Sequence, residues 1–233
     1  MRMFVTHDDP GPQWQLGSPS PELGAFALIG WDADGRDGGI PERIVDVLAA
    51  SLSAFGRVTF ACSAAAADDA PGWSLRDGDY VRRDRVRSVM GRMAAQWSAG
   101  SPGDLVLLST VTRQSVARLF DDAGHPWWNQ SQFALVSVAD AVPPDFERIG
   151  FDPATLLQSG WLECLHTLAP LGVQAILRPG VDGDVAGLLC TSSEVRDRFE
   201  AILSRCAREA DADLQFVSAE RFGEGLASSP AGD

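Results

Sequence analysis

The stretch Leu105-Val106-Leu107-Leu108-Ser109-Thr110 opens with four apolar residues in succession, so both faces of any strand it forms are apolar. A strand of that kind belongs in the middle of a sheet covered on both sides, the usual setting of a parallel sheet. Outward from it, short β-rich apolar runs fall at 1–6, 25–31, 57–62, 132–139, 173–178, 185–190 and 214–218. Helical patterns separate most of these runs. The first follows Gly38-Gly39-Ile40-Pro41 and carries Ile44, Val45, Leu48, Leu52 and Phe55 at helical spacing, with proline at an opening position it favours. A second is predicted over 80–97 and a third over 112–122. A fourth opens at Asp152-Pro153 with the stripe Leu157, Trp161, Cys164, Leu165 and Leu168. The last has a capping box, Thr191-Ser192-Ser193-Glu194, ahead of Val195, Phe199, Ile202, Leu203 and Cys206. Residues 178–184 read as a hairpin loop rich in Gly, Pro and Asp. The expected architecture is an α/β fold: a single mixed, largely parallel sheet with helices packed against it and an antiparallel hairpin in the C-terminal third. One domain is expected over 1–225, with a flexible tail over 226–233.

Composition narrows the chemistry. The 233 residues suffice for a real core, and 32 carboxylates against 19 arginines leave a net charge of −13. The chain has no lysine at all. A phosphate-binding P-loop and Schiff-base chemistry both need that residue, so both are excluded. Strong negative charge opposes nucleic-acid binding and favours a basic protein partner. No apolar run is long enough to span a bilayer, and the first nine residues lack the core of a signal peptide, which predicts a cytoplasmic protein without a membrane partner. Cys62, Cys164, Cys190 and Cys206 are scattered, as buried free thiols would be. Cys190 has a second reading, because it ends a predicted strand just before a helix N-terminus, where a thiolate would be stabilised.

Trp31-Asp32-Ala33-Asp34-Gly35 follows an apolar strand, and ligands gather at strand carboxyl ends in open α/β sheets. Asp-x-Asp-Gly in that place resembles the first motif of the haloacid-dehalogenase-like phosphohydrolases. The resemblance implies that Asp32 attacks phosphorus and that Asp34 is the general acid/base beside Mg²⁺. It also implies that Ser109 supplies the second motif, and that Asp140 and Asp145 join Asp32 and Asp34 in holding the metal. The chain departs from the pattern at Arg36, where Thr or Val is usual, and in lacking the family's lysine, whose place an arginine such as Arg113 would have to take. An EF-hand reading of the same segment fails, since Arg36 and Arg43 stand at two ligand positions. The plain alternative is a solvated loop leading into a helix.

Three further features compete with structural readings. His7-Asp8-Asp9 places an imidazole beside two carboxylates, similar to the cluster of metal-dependent deacetylases, with His125 as the candidate companion and His166 read as a helix-boundary residue. His125-Pro126-Trp127-Trp128-Asn129 holds two adjacent tryptophans; one is expected to face the core and the other a partner. The segment 76–92 carries six arginines against three aspartates, a local +3 within a remainder of −16, with Arg85 and Arg92 flanking one side of a helical stripe and Arg83 and Arg87 the other. There is no Gly-x-Ser-x-Gly elbow and no dinucleotide fingerprint. The sequence therefore points first to a non-catalytic acidic binding module with no cofactor, of the kind seen in bacterial immunity and antitoxin proteins. Such a module masks a basic protein through Asp121, Asp122, His125, Trp127, Trp128 and Asp140. The Mg²⁺-dependent phosphohydrolase is the alternative.

Overall fold

The computed structural model describes residues 1–8, 25–32, 41–63, 83–86, 105–110, 112–121, 133–137, 161–179 and 185–227. The strands are β1 (Arg2–Thr6), β2 (Phe26–Trp31), β3 (Arg57–Ser63), β4 (Arg83–Val86), β5 (Leu105–Thr110), β6 (Phe133–Ser137), β7 (Val173–Pro179), β8 (Val185–Cys190) and β9 (Asp213–Phe216). The helices are α1 (Glu42–Phe55), α2 (Arg113–Asp121), α3 (Trp161–Leu168), α4 (Ser193–Glu209) and α5 (Ala219–Ala227). The strands form one mixed sheet in the order β4-β5-β3-β6-β7-β8-β2-β1-β9.

That sheet is mostly antiparallel, which corrects the expectation of a largely parallel one. Only β1 and β9 pair parallel; β1·β2, β2·β8, β8·β7, β7·β6, β6·β3, β3·β5 and β5·β4 all run antiparallel. The sequence signal was double-sided burial, and double-sided burial has a different cause here. All six residues of β2 and all six of β8 are buried, because helices cover both faces of the sheet. On one face Met3, Val5, Ala27, Ile29, Trp31, Val58, Val136, Ala175, Leu177, Ala186 and Leu188 join α1, α2 and α4 in a single core through Ile44, Leu48, Val116, Phe199 and Leu203. The neighbouring positions Phe4, Leu28, Ile176 and Leu189 are also buried but point the other way. There α5 packs on β1 and β2 through Phe222, and α3 on β7 and β8 through Leu165 and Leu168. Each fully buried Leu, Ile or Phe side chain contributes roughly 1.5–3 kcal/mol.

The residues expected to form the α1 stripe, Ile44, Val45, Leu48, Leu52 and Phe55, are all buried. α4 begins one residue later than the capping box implied: Ser192, not Thr191, accepts the Val195 N–H, at 3.3 Å. Two hydroxyls in succession offered two registers, and the packing of Phe199 and Leu203 selects one. The helix expected over 80–97 is corrected at 83–86, which form β4, an edge strand paired with β5. Charged residues such as Arg83, Asp84 and Arg85 suit a sheet edge, where they discourage further pairing; the helical-wheel placement of Arg83 and Arg85 falls with the helix. α5 was not foreseen and runs to Ala227, past the expected start of the tail. β7 and β8 pair antiparallel from Ala175↔Cys190 to Pro179↔Ala186, while 180–184 lie outside the described residues. Before β7, Gly172 takes φ 87° and its N–H bonds to the Ala169 carbonyl at 2.9 Å, a conformation open to glycine and strained for other residues. Among the described residues no helix is long and apolar enough to cross a membrane.

Candidate functional site

The alternation of strand directions decides which candidate residues can meet. β2 and β5 run in opposite directions, so their carboxyl ends lie at opposite ends of the sheet. Asp32 follows the end of β2. Ser109 lies near the end of β5, paired with Thr59 of β3. Five strand steps also separate the two strands, about 24 Å along the sheet at ~4.8 Å per step. Asp32 and Ser109 therefore do not share a catalytic centre. Asp32 has a structural partner instead: Arg2 Nε donates to it at 2.8 Å and Arg2 Nη2 at 3.4 Å, while the Asp32 N–H donates to the Arg2 carbonyl at 3.1 Å. β6, which precedes Asp140 and Asp145, finishes at the end of the sheet opposite Asp32. Asp34, Asp122, His125, Trp127, Trp128, Asp140 and Asp145 lie outside the described residues; Asp121 closes α2, and its side chain is likewise outside them.

His7 is placed at the other end of the sheet, where β1, β8 and β9 finish and α4 and α5 begin. Its Nε2 and Glu200 Oε1 lie 2.6 Å apart, and Arg196 Nε is 3.8 Å from the same carboxylate oxygen. The Phe216 ring stands edge-on to the imidazole with centroids 6.4 Å apart. Asp8 Oδ2 accepts the Ala219 N–H at 3.1 Å, so it serves one of the first amides of α5. Among the described residues no group of three or more His, Cys, Asp and Glu side chains converges to hold a metal. His166 is exposed on α3. No family model, curated protein sequence or solved structure matches the chain.

Cys190 ends β8 just ahead of α4, as its sequence position implied, but the reactive-thiol reading is corrected. Burial pushes its thiol from 9.0 up to about 12, the Glu200 and Asp197 carboxylates push the same way, and Arg196 opposes them. A helix N-terminus cannot rescue a thiolate that has lost its water.

Two features were not legible in the sequence. β9 is the last strand of the sheet, and Phe216, exposed to 52%, is the one exposed large apolar side chain among the described residues. The alternation Asp213-Leu214-Gln215-Phe216 resembles a half-buried strand; only the strand order reveals an edge. The second is Arg57 beside Ser137. They are direct register partners across β3·β6, on the face away from α1, since their neighbours Val58 and Val136 belong to the α1 core. Among the described residues, Arg57 Nε and Nη1 and Ser137 Oγ are buried with no hydrogen-bond partner. Eighty positions separate the two residues in the chain, and neither carries a motif.

Proposed function

We propose that the chain is a non-catalytic acidic docking module of the immunity or antitoxin type, which masks a basic protein partner, and that this partner lays an extended segment along the outer edge of β9. The observation that carries the reading is an exposed sheet edge bearing Phe216 within an acidic surround. The Asp213 and Val217 N–H groups bond to the carbonyls of Met1 and Val5 on β1. The alternate residues, Leu214 and Phe216, therefore turn their backbone N–H and C=O groups to the outer side. Such an edge is a template for one more strand, with main-chain bonds giving affinity and alternate side chains giving selectivity. Phe216 supplies the aromatic anchor.

Charge selects the occupant. Residues 209–224 hold Glu209, Asp211, Asp213, Glu220 and Glu224 against Arg221 alone, and all five carboxylates are on exposed residues. A second copy of this −13 chain would meet like charge there, whereas a basic strand would be steered in. The same charge argues against a nucleic-acid partner. Asp121, Asp122, His125, Trp127, Trp128 and Asp140 remain contacts proposed on sequence grounds. The phosphohydrolase alternative required Asp32 and Ser109 in one pocket, and their placement withdraws its support.

The test is fluorescence anisotropy with a labelled peptide alternating arginine and valine. Saturable binding is expected, weakening roughly tenfold when salt is raised severalfold, and weakening roughly tenfold again in Phe216→Ser. Equal binding of a glutamate–valine peptide, or indifference to Phe216→Ser, would overturn the proposal.

A further inference from the structure

Burial of an arginine nitrogen without an acceptor is costly, because the guanidinium cannot shed its charge and each of its N–H groups left water on folding. Arg57 leaves two nitrogens, Nε and Nη1, in that condition. Its register partner Ser137, only 1% exposed, leaves its hydroxyl unpaired beside them. Directly opposed side chains in an antiparallel pair have Cβ atoms about 5 Å apart, so Arg57 and Ser137 leave the same face of the sheet side by side. Thr59, two residues along β3 on the same face and equally buried, extends the polar patch. The ladder between β6 and β7 is irregular at this same place, with a register shift between Val136 and Ser137. Bulges re-aim side chains and recur beside binding sites.

We infer that Arg57 and Ser137 form a binding site for a small oxyanion, a phosphate or carboxylate group, held by the guanidinium edge that carries Nη1 and by the serine hydroxyl. The ligand class follows from the donors. The unmet Nη1 carries two N–H groups and Ser137 a hydroxyl, and an acceptor with several oxygens, a phosphate or carboxylate, serves these donors better than a single water or backbone carbonyl. Arg57 is only partly buried as a residue, which leaves a route to solvent. The net charge of −13 repels anions from the surface at large, so saturable binding of one has to come from a local cationic group. This inference is independent of the docking proposal at β9.

The experiment is calorimetric titration of the whole chain with inorganic phosphate and, separately, with acetate, at constant chloride. Saturable binding of either anion at one site per chain is expected; the anion bound more tightly names the natural group. Ser137→Ala should weaken it about three- to tenfold and Arg57→Met more than tenfold. In chloride buffer alone Arg57→Met should unfold at a higher temperature than the parent chain, since it removes an unpaired buried charge while keeping the apolar stem. No saturable binding of either anion, or an affinity unaltered by Ser137→Ala, overturns the proposal. So does a lower unfolding temperature for Arg57→Met, which would mean that the chain's own groups already satisfy the guanidinium. If Arg57→Met does not fold, Ser137→Ala decides alone.

Discussion

At the end of the sheet where β1, β8 and β9 finish, His7 meets Glu200, Asp8 meets the first amide of α5, and Ser192 caps α4. At the same end, where β6 finishes and β3 begins, Arg57 and Ser137 bury polar atoms that meet no partner among the described residues. Both clusters are assembled from distant parts of the chain; the first joins strands to the helices beside them, and the second lies across two paired strands. The first is a set of staples: each charged or polar group has a partner, and the arrangement ties β1 to α4 and α5. The second is a pair of unmet polar groups, the proposed anion site. Partnered polar groups mark where the fold holds itself together, and unpartnered ones mark where it waits for something else. The β9 edge belongs with the second kind, since among the described residues no strand pairs with its outer side.

The contrast can be broken first at the core of the stapled half. Phe199 is fully buried and packs edge-on against Phe55, with centroids 5.6 Å apart. Phe199→Ala should cost about 3–5 kcal/mol in urea unfolding, while anion affinity at Arg57 in the folded fraction stays unchanged; a parallel loss of affinity would mean that the two halves are one unit.

Next in size is an alkaline effect. Because the Cys190 thiol is raised to about 12 in the folded chain from an ordinary 9.0, its neutral form favours the native state. That contribution is fully present below pH 9 and is lost as pH rises towards 12. At ~1.4 kcal/mol per unit the loss amounts to up to about 4 kcal/mol. Stability measured from pH 8 to 11 should fall more steeply for the parent than for Cys190→Ala, and native thiol alkylation near neutral pH should be slow. Fast alkylation would restore the reactive thiol.

The smallest effect is expected at Asp32. Its pair with Arg2 is half in solvent, so Asp32→Asn should change stability by less than about 1 kcal/mol. A larger loss would show that the Arg2–Asp32 pair is more than a surface tie.

Local periodicity made much of the fold legible. α1 and the body of α4 follow from apolar spacing, and eight of the nine strands coincide with β-rich runs. What failed was information that spacing does not carry. Apolar residues on both faces of β2 and β8 imply cover on both sides, but helices on two faces provide that for antiparallel strands as well as for parallel ones. Arg83–Val86 carry no strand signal of their own; pairing with β5 makes them one. The candidate site was less legible still. Asp32 looked catalytic from its place after a strand, yet strand direction, a tertiary property, sets it apart from Ser109. His7 and Glu200 are 193 positions apart, and nothing local in either announces the other. Cys190 does end a strand ahead of a helix, but the burial that raises its thiol is a tertiary property that no local signal carries.

Backbone hydrogen exchange at Leu214 and Phe216, with and without a saturating arginine–valine peptide, tests the docking account most directly. The account predicts that these two amides, which face outward from β9, become strongly protected on binding, while the inward-facing Asp213 and Gln215 change little. Binding that leaves Leu214 and Phe216 exchanging at their free rate, with protection appearing elsewhere, would contradict it.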